Sequence, residues 1–211
     1  MGVLKRFFNQ TRKPEGMLGK LMLMMMNPGH AKLADWGMKL LEEVKPERII
    51  ELGCGGGRNA VALLKKYPGS HVTAVDYSLL SCEKARECAK DMIEAGHCIV
   101  EQGDVSSLHY PEETFDLATA FETIYFWPGI EKCFGEVYRV LKPGGYFLIC
   151  NESDGKDASG KKFEKIIKGM KCYEMEEIEN TLKQVGFHVM TSIQEKKKPW
   201  IAILARKHDI D

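Results

Sequence analysis

From Pro46 onward, short apolar runs alternate with longer stretches of helical periodicity. Arg48-Ile49-Ile50-Glu51-Leu52 reads as a buried strand, followed by a tight turn over 53–57 and a helix over Asn59–Lys66. A short apolar run closed by turn residues is the pattern of a strand covered on both faces. His71–Asp76 is a second strand, and Ser78–Ala95 a helix with Ser78 as its N-cap. Cys98–Gln102 and Phe115–Phe121 are the third and fourth strands. Ile130–Leu141 is a helix that Pro143-Gly144-Gly145 stops, and Tyr146–Asn151 is the fifth strand. Strand and helix in this rotation predict a parallel α/β sheet of Rossmann-like type, with helices on both faces and right-handed crossovers.

Both ends of the chain break the rhythm. Glu174–Val185 is a helix ended by Gly186, and Phe187–Ile193 and Trp200–Ala205 are strands joined by a short Lys-rich link containing Pro199. That link suits a hairpin, so one of the two strands runs antiparallel to the rest. Ahead of the first strand, Gly29–Val44 carries Leu33, Trp36, Leu40 and Leu41 at helical spacing. The expected division is a helical segment, 1–44, and an α/β domain, 45–211.

Composition narrows the partners. Thirty basic residues offset thirty acidic ones, so no global field draws the chain to nucleic acid or anionic lipid. Glu195-Lys196-Lys197-Lys198 reads as a solvated turn. The seven cysteines, Cys54, Cys82, Cys88, Cys98, Cys133, Cys150 and Cys172, show neither disulfide-framework nor zinc spacing. No metal site is expected, and a reducing cytoplasm fits best. Met1–Pro14 lacks the apolar stretch of a signal peptide, and the run 21–26 is too short to span a bilayer.

The chemistry concentrates at strand ends. Glu51-Leu52-Gly53-Cys54-Gly55-Gly56-Gly57-Arg58-Asn59 follows a strand and opens a helix, where glycines permit a sharp turn and close ligand approach. In open α/β sheets, ligands sit outside the carboxyl ends of the strands, where the winding reverses. Arg58 occupies the place of the third glycine of the dinucleotide fingerprint, which argues against a nicotinamide oxidoreductase. Glu51, Asp76 and Asp104 then stand at three successive strand ends. Such an acidic rim repels a pyrophosphate and favours a cationic sulfonium with an amino-acid tail.

With these pieces, the sequence resembles the class I S-adenosylmethionine-dependent methyltransferases of small-molecule type. The match rests on Ile49 to Asn59, Val72 to Ser78, Gly103-Asp104-Val105, Phe115-Asp116-Leu117 and Leu141-Lys142-Pro143-Gly144-Gly145. It implies a seven-stranded sheet with its last strand antiparallel, and S-adenosylmethionine as cofactor, with S-adenosylhomocysteine as product. Glu51 and the loop Gly53, Cys54, Gly55, Gly57 would face the methionine moiety. Asp76 would hold the ribose, with Ser78 and Asn59 in the same cofactor set. Tyr77 would lie against the adenine, Asp104 would accept its exocyclic amine, and the Val105 N–H would bind a ring nitrogen. The Phe121 backbone would approach the methionine amino group.

Beyond the fourth strand, Phe121-Glu122-Thr123-Ile124-Tyr125-Phe126-Trp127-Pro128 should sit over the transferred methyl. Tyr125 and Trp127 are candidates to shape an acceptor pocket, with Phe126 in the core. Glu122 is the candidate to orient an acceptor or take its proton, His30 a second catalytic candidate, and Asn151 and Glu152 acceptor-binding candidates. Met24, Met26, Asn27 and His30 could line a lid over the cofactor. The expected partner is a small-molecule methyl acceptor, with no nucleic acid or membrane, on a monomer or homodimer. An RNA or protein methyltransferase, and a non-catalytic nucleotide-binding module, are the alternative readings.

Overall fold

The computed structural model describes residues 30–209. Residues 30–37 are helical (α1) and continue into a 3-10 turn, Met38–Leu41. Then come β1 (Arg48–Leu52), α2 (Arg58–Lys66), β2 (His71–Asp76), α3 (Leu79–Cys88), α4 (Lys90–Glu94) and β3 (Cys98–Gln102). The second half holds β4 (Phe115–Phe121), a 3-10 turn (Ile124–Phe126), α5 (Ile130–Val140), β5 (Leu141–Asn151), α6 (Ala158–Ile166), α7 (Met175–Val185), β6 (Phe187–Gln194) and β7 (Ile201–Lys207).

The seven strands form one sheet in the order β3-β2-β1-β4-β5-β7-β6. β1 to β5 pair in parallel, and β7 runs antiparallel between β5 and β6, as the terminal hairpin pattern implied. Each face has its own core. One packs Ile50, Phe147 and Ile203 of the sheet against Phe134 and Val137 of α5 and Ile178 and Leu182 of α7. The other packs Ile49, Val72, Leu117 and Leu148 against α2, α3 and the N-terminal helix, where Leu33, Ala34 and Leu41 are buried. The first helix is therefore built into the second core by its own apolar stripe.

Three elements differ from the pattern. The helix expected over 78–95 breaks at Ala89, whose backbone (φ −97°, ψ 15°) leaves the helical region, so α3 and α4 are separate. The fifth strand begins at Leu141, five residues early. The backbone turns extended at Leu141 itself, so the helix ends before Pro143 and the Pro-Gly-Gly segment joins the strand. Helix α6 was not anticipated. Its signal is Asp157, whose Oδ1 accepts the Gly160 N–H at 2.7 Å, and Ser-Gly in the first turn masks the periodicity.

Two of the quoted motif pieces serve the opposite, amino edge of the sheet. Asp116 on β4 accepts the Arg48 N–H at 2.8 Å, and its other oxygen pairs with Lys142 on β5 at 2.7 Å. One carboxylate thus ties β1, β4 and β5 together at that edge. This fixes the strand register that delivers their far ends to a common place.

Candidate active site

Strand order reverses between β1 and β4, since β1 leads outward to β2 and β3 while β4 leads to β5. The crevice outside that reversal is where open α/β sheets bind ligands. The loops after β1 and β4 meet there. Gly53 has φ +80°, a region open to glycine, and its N–H and that of Cys54 both donate to the Val75 carbonyl, at 2.7 and 3.0 Å. The turn is thereby pinned to β2.

Asp76 at the end of β2 organises the same turn. Its Oδ2 accepts the Gly55 N–H at 2.9 Å, and its Oδ1 accepts the Ser78 N–H at 2.8 Å. A carboxylate has about four acceptor sites, so each oxygen retains capacity for a ligand hydroxyl. Burial pushes its carboxyl above the ordinary aspartate value, and the two N–H groups oppose the shift. Ser78 caps α3, its Oγ accepting the Ser81 N–H at 3.3 Å.

Glu51 lies 1% exposed, and its Oε2 has no hydrogen-bond partner among the described residues. Burial first, then the nearby Asp76 charge, push its carboxyl up to about 8. An orphaned carboxylate oxygen under a glycine turn is costly unless a cationic or donor group arrives to satisfy it. The turn leaves room for one, because a Cβ built on Gly55 meets nothing within 4 Å. Cys54 is buried, Phe121 closes β4 in the second core, and Asn59 on α2 accepts from Arg58 Nη1 at 3.1 Å.

The acidic rim is graded. Glu51 is buried, Asp76 half-buried and Asp104 exposed, its Oδ1 accepting the Ser106 N–H at 2.8 Å. Tyr77 is 56% exposed beside Asp76, whereas Val105 is buried after Asp104. This gradient matches a ligand that enters amino-acid end first and leaves an aromatic end near the surface.

Across the crevice, Glu122 follows β4 with φ +60°, an uncommon conformation for a residue with a Cβ. Its N–H donates to the Cys150 carbonyl at 2.9 Å, which joins it to the end of β5. Its Oε1 accepts the Tyr125 hydroxyl at 3.1 Å and a close bond from the Glu152 N–H. The Tyr125 oxygen in turn accepts the Ser153 N–H at 3.0 Å. Burial, with the Glu152 charge second, pushes the Glu122 carboxyl up to about 8.

His30, from α1, reaches the same point. Its Nε2 lies 3.9 Å from Glu122 Oε2 and 3.7 Å from Glu152 Oε2. Burial lowers the imidazole pKa, and the Glu152 charge only partly restores it, so a neutral ring faces the carboxylates. The four sequence candidates His30, Glu122, Tyr125 and Glu152 thus converge from α1, β4 and β5.

Trp127 and Asn151 are placed differently. The Trp127 ring stacks on Phe147 and meets Phe134 edge-on, inside the first core, while its Nε1 donates to Thr123 Oγ1 at 3.1 Å. Tyr125 is also buried and presents its hydroxyl to Glu122, whereas Phe126, expected in the core, is only partly buried. A 3-10 turn over 124–126 sets this phase, which a periodicity reading could not supply. Asn151 is 0% exposed, and neither its Oδ1 nor its Nδ2 has a partner among the described residues. Met24, Met26 and Asn27 lie outside the described residues.

Sequence reading missed two contributors. Thr123 presses on the glycine turn, and Asp35 on α1 holds Arg58 Nη2 at 2.6 Å, joining the first helix to the helix that the turn opens. Neither carries a local signal, since each matters only through a partner distant in sequence.

Comparison with known proteins agrees with this geometry. Residues 50–149 match the family model described as a methyltransferase domain. The sterol 24-C-methyltransferase of Kluyveromyces lactis is 28% identical over 170 residues, covering 74% of this chain and 45% of the relative. The fatty-acid O-methyltransferase of Mycolicibacterium smegmatis is 34% identical over 106 residues, 50% of this chain and 37% of the relative. The chain therefore spans less than half the length of these curated relatives. Among solved structures, geranyl diphosphate C-methyltransferase from Streptomyces coelicolor A3(2) shares the fold, with a TM-score of 0.72 at 15% identity over 84% of this chain and 76% of that one. Residues 50–149, just under half of the chain, are thus similar to a methyltransferase domain, and the sheet shares the fold of the solved methyltransferase.

Proposed function

We propose that this chain transfers a methyl group from S-adenosylmethionine to a small-molecule acceptor. The observation that carries the reading is the buried, orphaned Glu51 oxygen beneath the open turn at Gly55. Glu51 would pair with the amino group of the methionine moiety, Asp76 with the ribose, Tyr77 with the adenine face, and Asp104 and Val105 with its edge. When bound, S-adenosylmethionine supplies a methyl group already activated for in-line displacement. The protein's part is to align donor and acceptor and to receive the acceptor's proton.

Glu122 and His30 fit that second part. The neutral His30 imidazole is able to accept a proton at neutral pH, and Glu122, pushed up to about 8, gains that capacity as it ionises with rising pH. Tyr125 holds Glu122 in place through its hydroxyl, and Glu152 stands beside them toward solvent. The relatives are named for sterol and fatty-acid methylation, which supports a small organic acceptor rather than nucleic acid. Among the described residues, no helix is long and apolar enough to cross a membrane. All seven cysteines are free thiols, which suits the reducing cytoplasm.

Isothermal titration tests the reading. S-adenosylhomocysteine should bind at micromolar concentration and NADH should not. NADH binding more tightly than S-adenosylhomocysteine would overturn it, as would failure of any methyl transfer from radiolabelled S-adenosylmethionine across sterol, fatty-acid, quinol and amine acceptors.

A further inference from the structure

We propose that His30, Glu122 and Glu152 form a three-ligand site for one divalent cation, Zn²⁺ or Mn²⁺, open toward the methyl acceptor. The proposal deepens the reading above and rests on it for the location of the acceptor. One ligand atom from each residue lies within 4.8 Å of the other two. The His30 Nε2 separations of 3.7 and 3.9 Å are too long for hydrogen bonds, so the three groups face one another without bonding directly. Ligands about 2.1 Å from a tetrahedral ion stand about 3.4 Å apart, so the two His30 distances need a few tenths of an ångström of closure, and the third side of the triangle lies within 4.8 Å.

The surroundings are those of a metal ligand rather than of a chance surface cluster. Glu122 is nine-tenths buried as a side chain, and its Oε1 is fully engaged by the Tyr125 hydroxyl and the Glu152 N–H. That leaves Oε2, with no hydrogen bond among the described residues, 3.9 Å from His30 Nε2. Ligating carboxylates are oriented by such outer hydrogen bonds, and the Ser153 N–H braces the tyrosine in turn. Glu122 carries its carboxylate into a buried position within reach of the exposed Glu152 charge, which is costly without a cation and supplies a second reason for an ion here. One imidazole and two carboxylates suit Zn²⁺ or Mn²⁺ better than thiophilic ions. Three protein ligands leave a coordination position for a heteroatom of the acceptor, whose proton becomes easier to lose beside a dication.

The test is titration of Zn²⁺ and Mn²⁺ into the full chain carrying Cys88→Ser, because Cys88 is an exposed thiol that could bind zinc by itself. One equivalent should bind, and His30→Ala and Glu152→Gln should each weaken it at least tenfold. Melting temperature and S-adenosylhomocysteine affinity are measured in parallel. Absence of binding at 1 mM metal, or binding that both variants leave unchanged, overturns the site and leaves His30 and Glu122 as an acid–base pair. Loss of S-adenosylhomocysteine binding by the unsubstituted chain would instead sink the cofactor reading, so the two failures are told apart.

Discussion

A Cβ placed on Gly53 would come within 2.0 Å of Oγ1 of Thr123. The turn after β1 and the loop after β4 are therefore in direct contact, so the proposed cofactor and acceptor sides would share one wall. Thr123 also accepts from Trp127, which is rooted in the first core, so the wall is anchored from below.

Substitution at the two glycines should separate folding from binding. Gly53→Ala meets Thr123 and demands φ +80°, and about 2 kcal/mol or more of lost stability is expected. Gly55→Ala meets nothing in the protein, although φ +52° still costs about 1 kcal/mol. Thermal melts and S-adenosylhomocysteine titration should show Gly53→Ala losing mainly stability and Gly55→Ala losing mainly affinity. Equal melting temperatures would show that the contact between the loops is not a constraint.

Asp76→Ala should lower S-adenosylhomocysteine affinity by about 10- to 150-fold, from charge-assisted bonds worth about 1.5–3 kcal/mol. From sequence alone, the fold is expected to survive intact. Because Asp76 also accepts from Gly55 and Ser78, a moderate fall in melting temperature should accompany the loss. An unchanged dissociation constant would move the ribose contact elsewhere.

If Glu51 pairs with the amino group as proposed, it should set the pH dependence of cofactor binding. It must be ionised to pair with an ammonium, and its carboxyl is pushed up to about 8. Affinity for S-adenosylhomocysteine should rise by up to about tenfold per pH unit from about pH 6 to about 8, then level off. Glu51→Gln should abolish the slope. Apo stability runs the other way. Glu51 and Glu122 both hold protons in the fold that the unfolded chain releases, so their contribution is full below about pH 4.5 and is lost as pH rises through about 8. Denaturant titrations across that range should show the decline, and Glu122→Gln should reduce it.

Glu122→Gln should leave S-adenosylhomocysteine affinity within about threefold, a shift of roughly 0.7 kcal/mol. Turnover should fall by about 100-fold or more if proton transfer is lost. Tyr125→Phe should give a smaller loss of turnover, since it removes one of the two bonds to Glu122 Oε1 and strips the Ser153 N–H of its partner. A Glu122→Gln enzyme with normal turnover, or with weakened cofactor binding as its only defect, would refute the acceptor-side role.

Hydrogen exchange addresses the first helix. Its Leu33, Ala34 and Leu41 belong to the second core, so residues 33–41 should be protected before ligand is added. Further protection on adding S-adenosylhomocysteine should appear at the His30 end and around Arg58. No change there would detach α1 from the ligand, and the expected lid would have to lie in residues 1–29, outside the described residues.

By itself, the sequence determined the sheet. Strand identity follows from short apolar runs between turn residues, and a parallel sheet is the only economical way to join strands through helices, so β1 to β4 could be read to the residue. The acid at each of the first three strand ends was equally legible, because a parallel sheet delivers all its carboxyl ends to one edge. What the sequence could not determine is how residues remote along the chain meet. His30, Glu122 and Glu152 have no mutual spacing to detect, and the same is true of Gly53 with Thr123 and Arg58 with Asp35. Nor does periodicity assign Tyr125 and Trp127, since a single 3-10 turn decides which ring is core and which hydroxyl faces Glu122. Those outcomes depend on side-chain packing across elements, which brings together residues remote in sequence, and only the tertiary structure decided them.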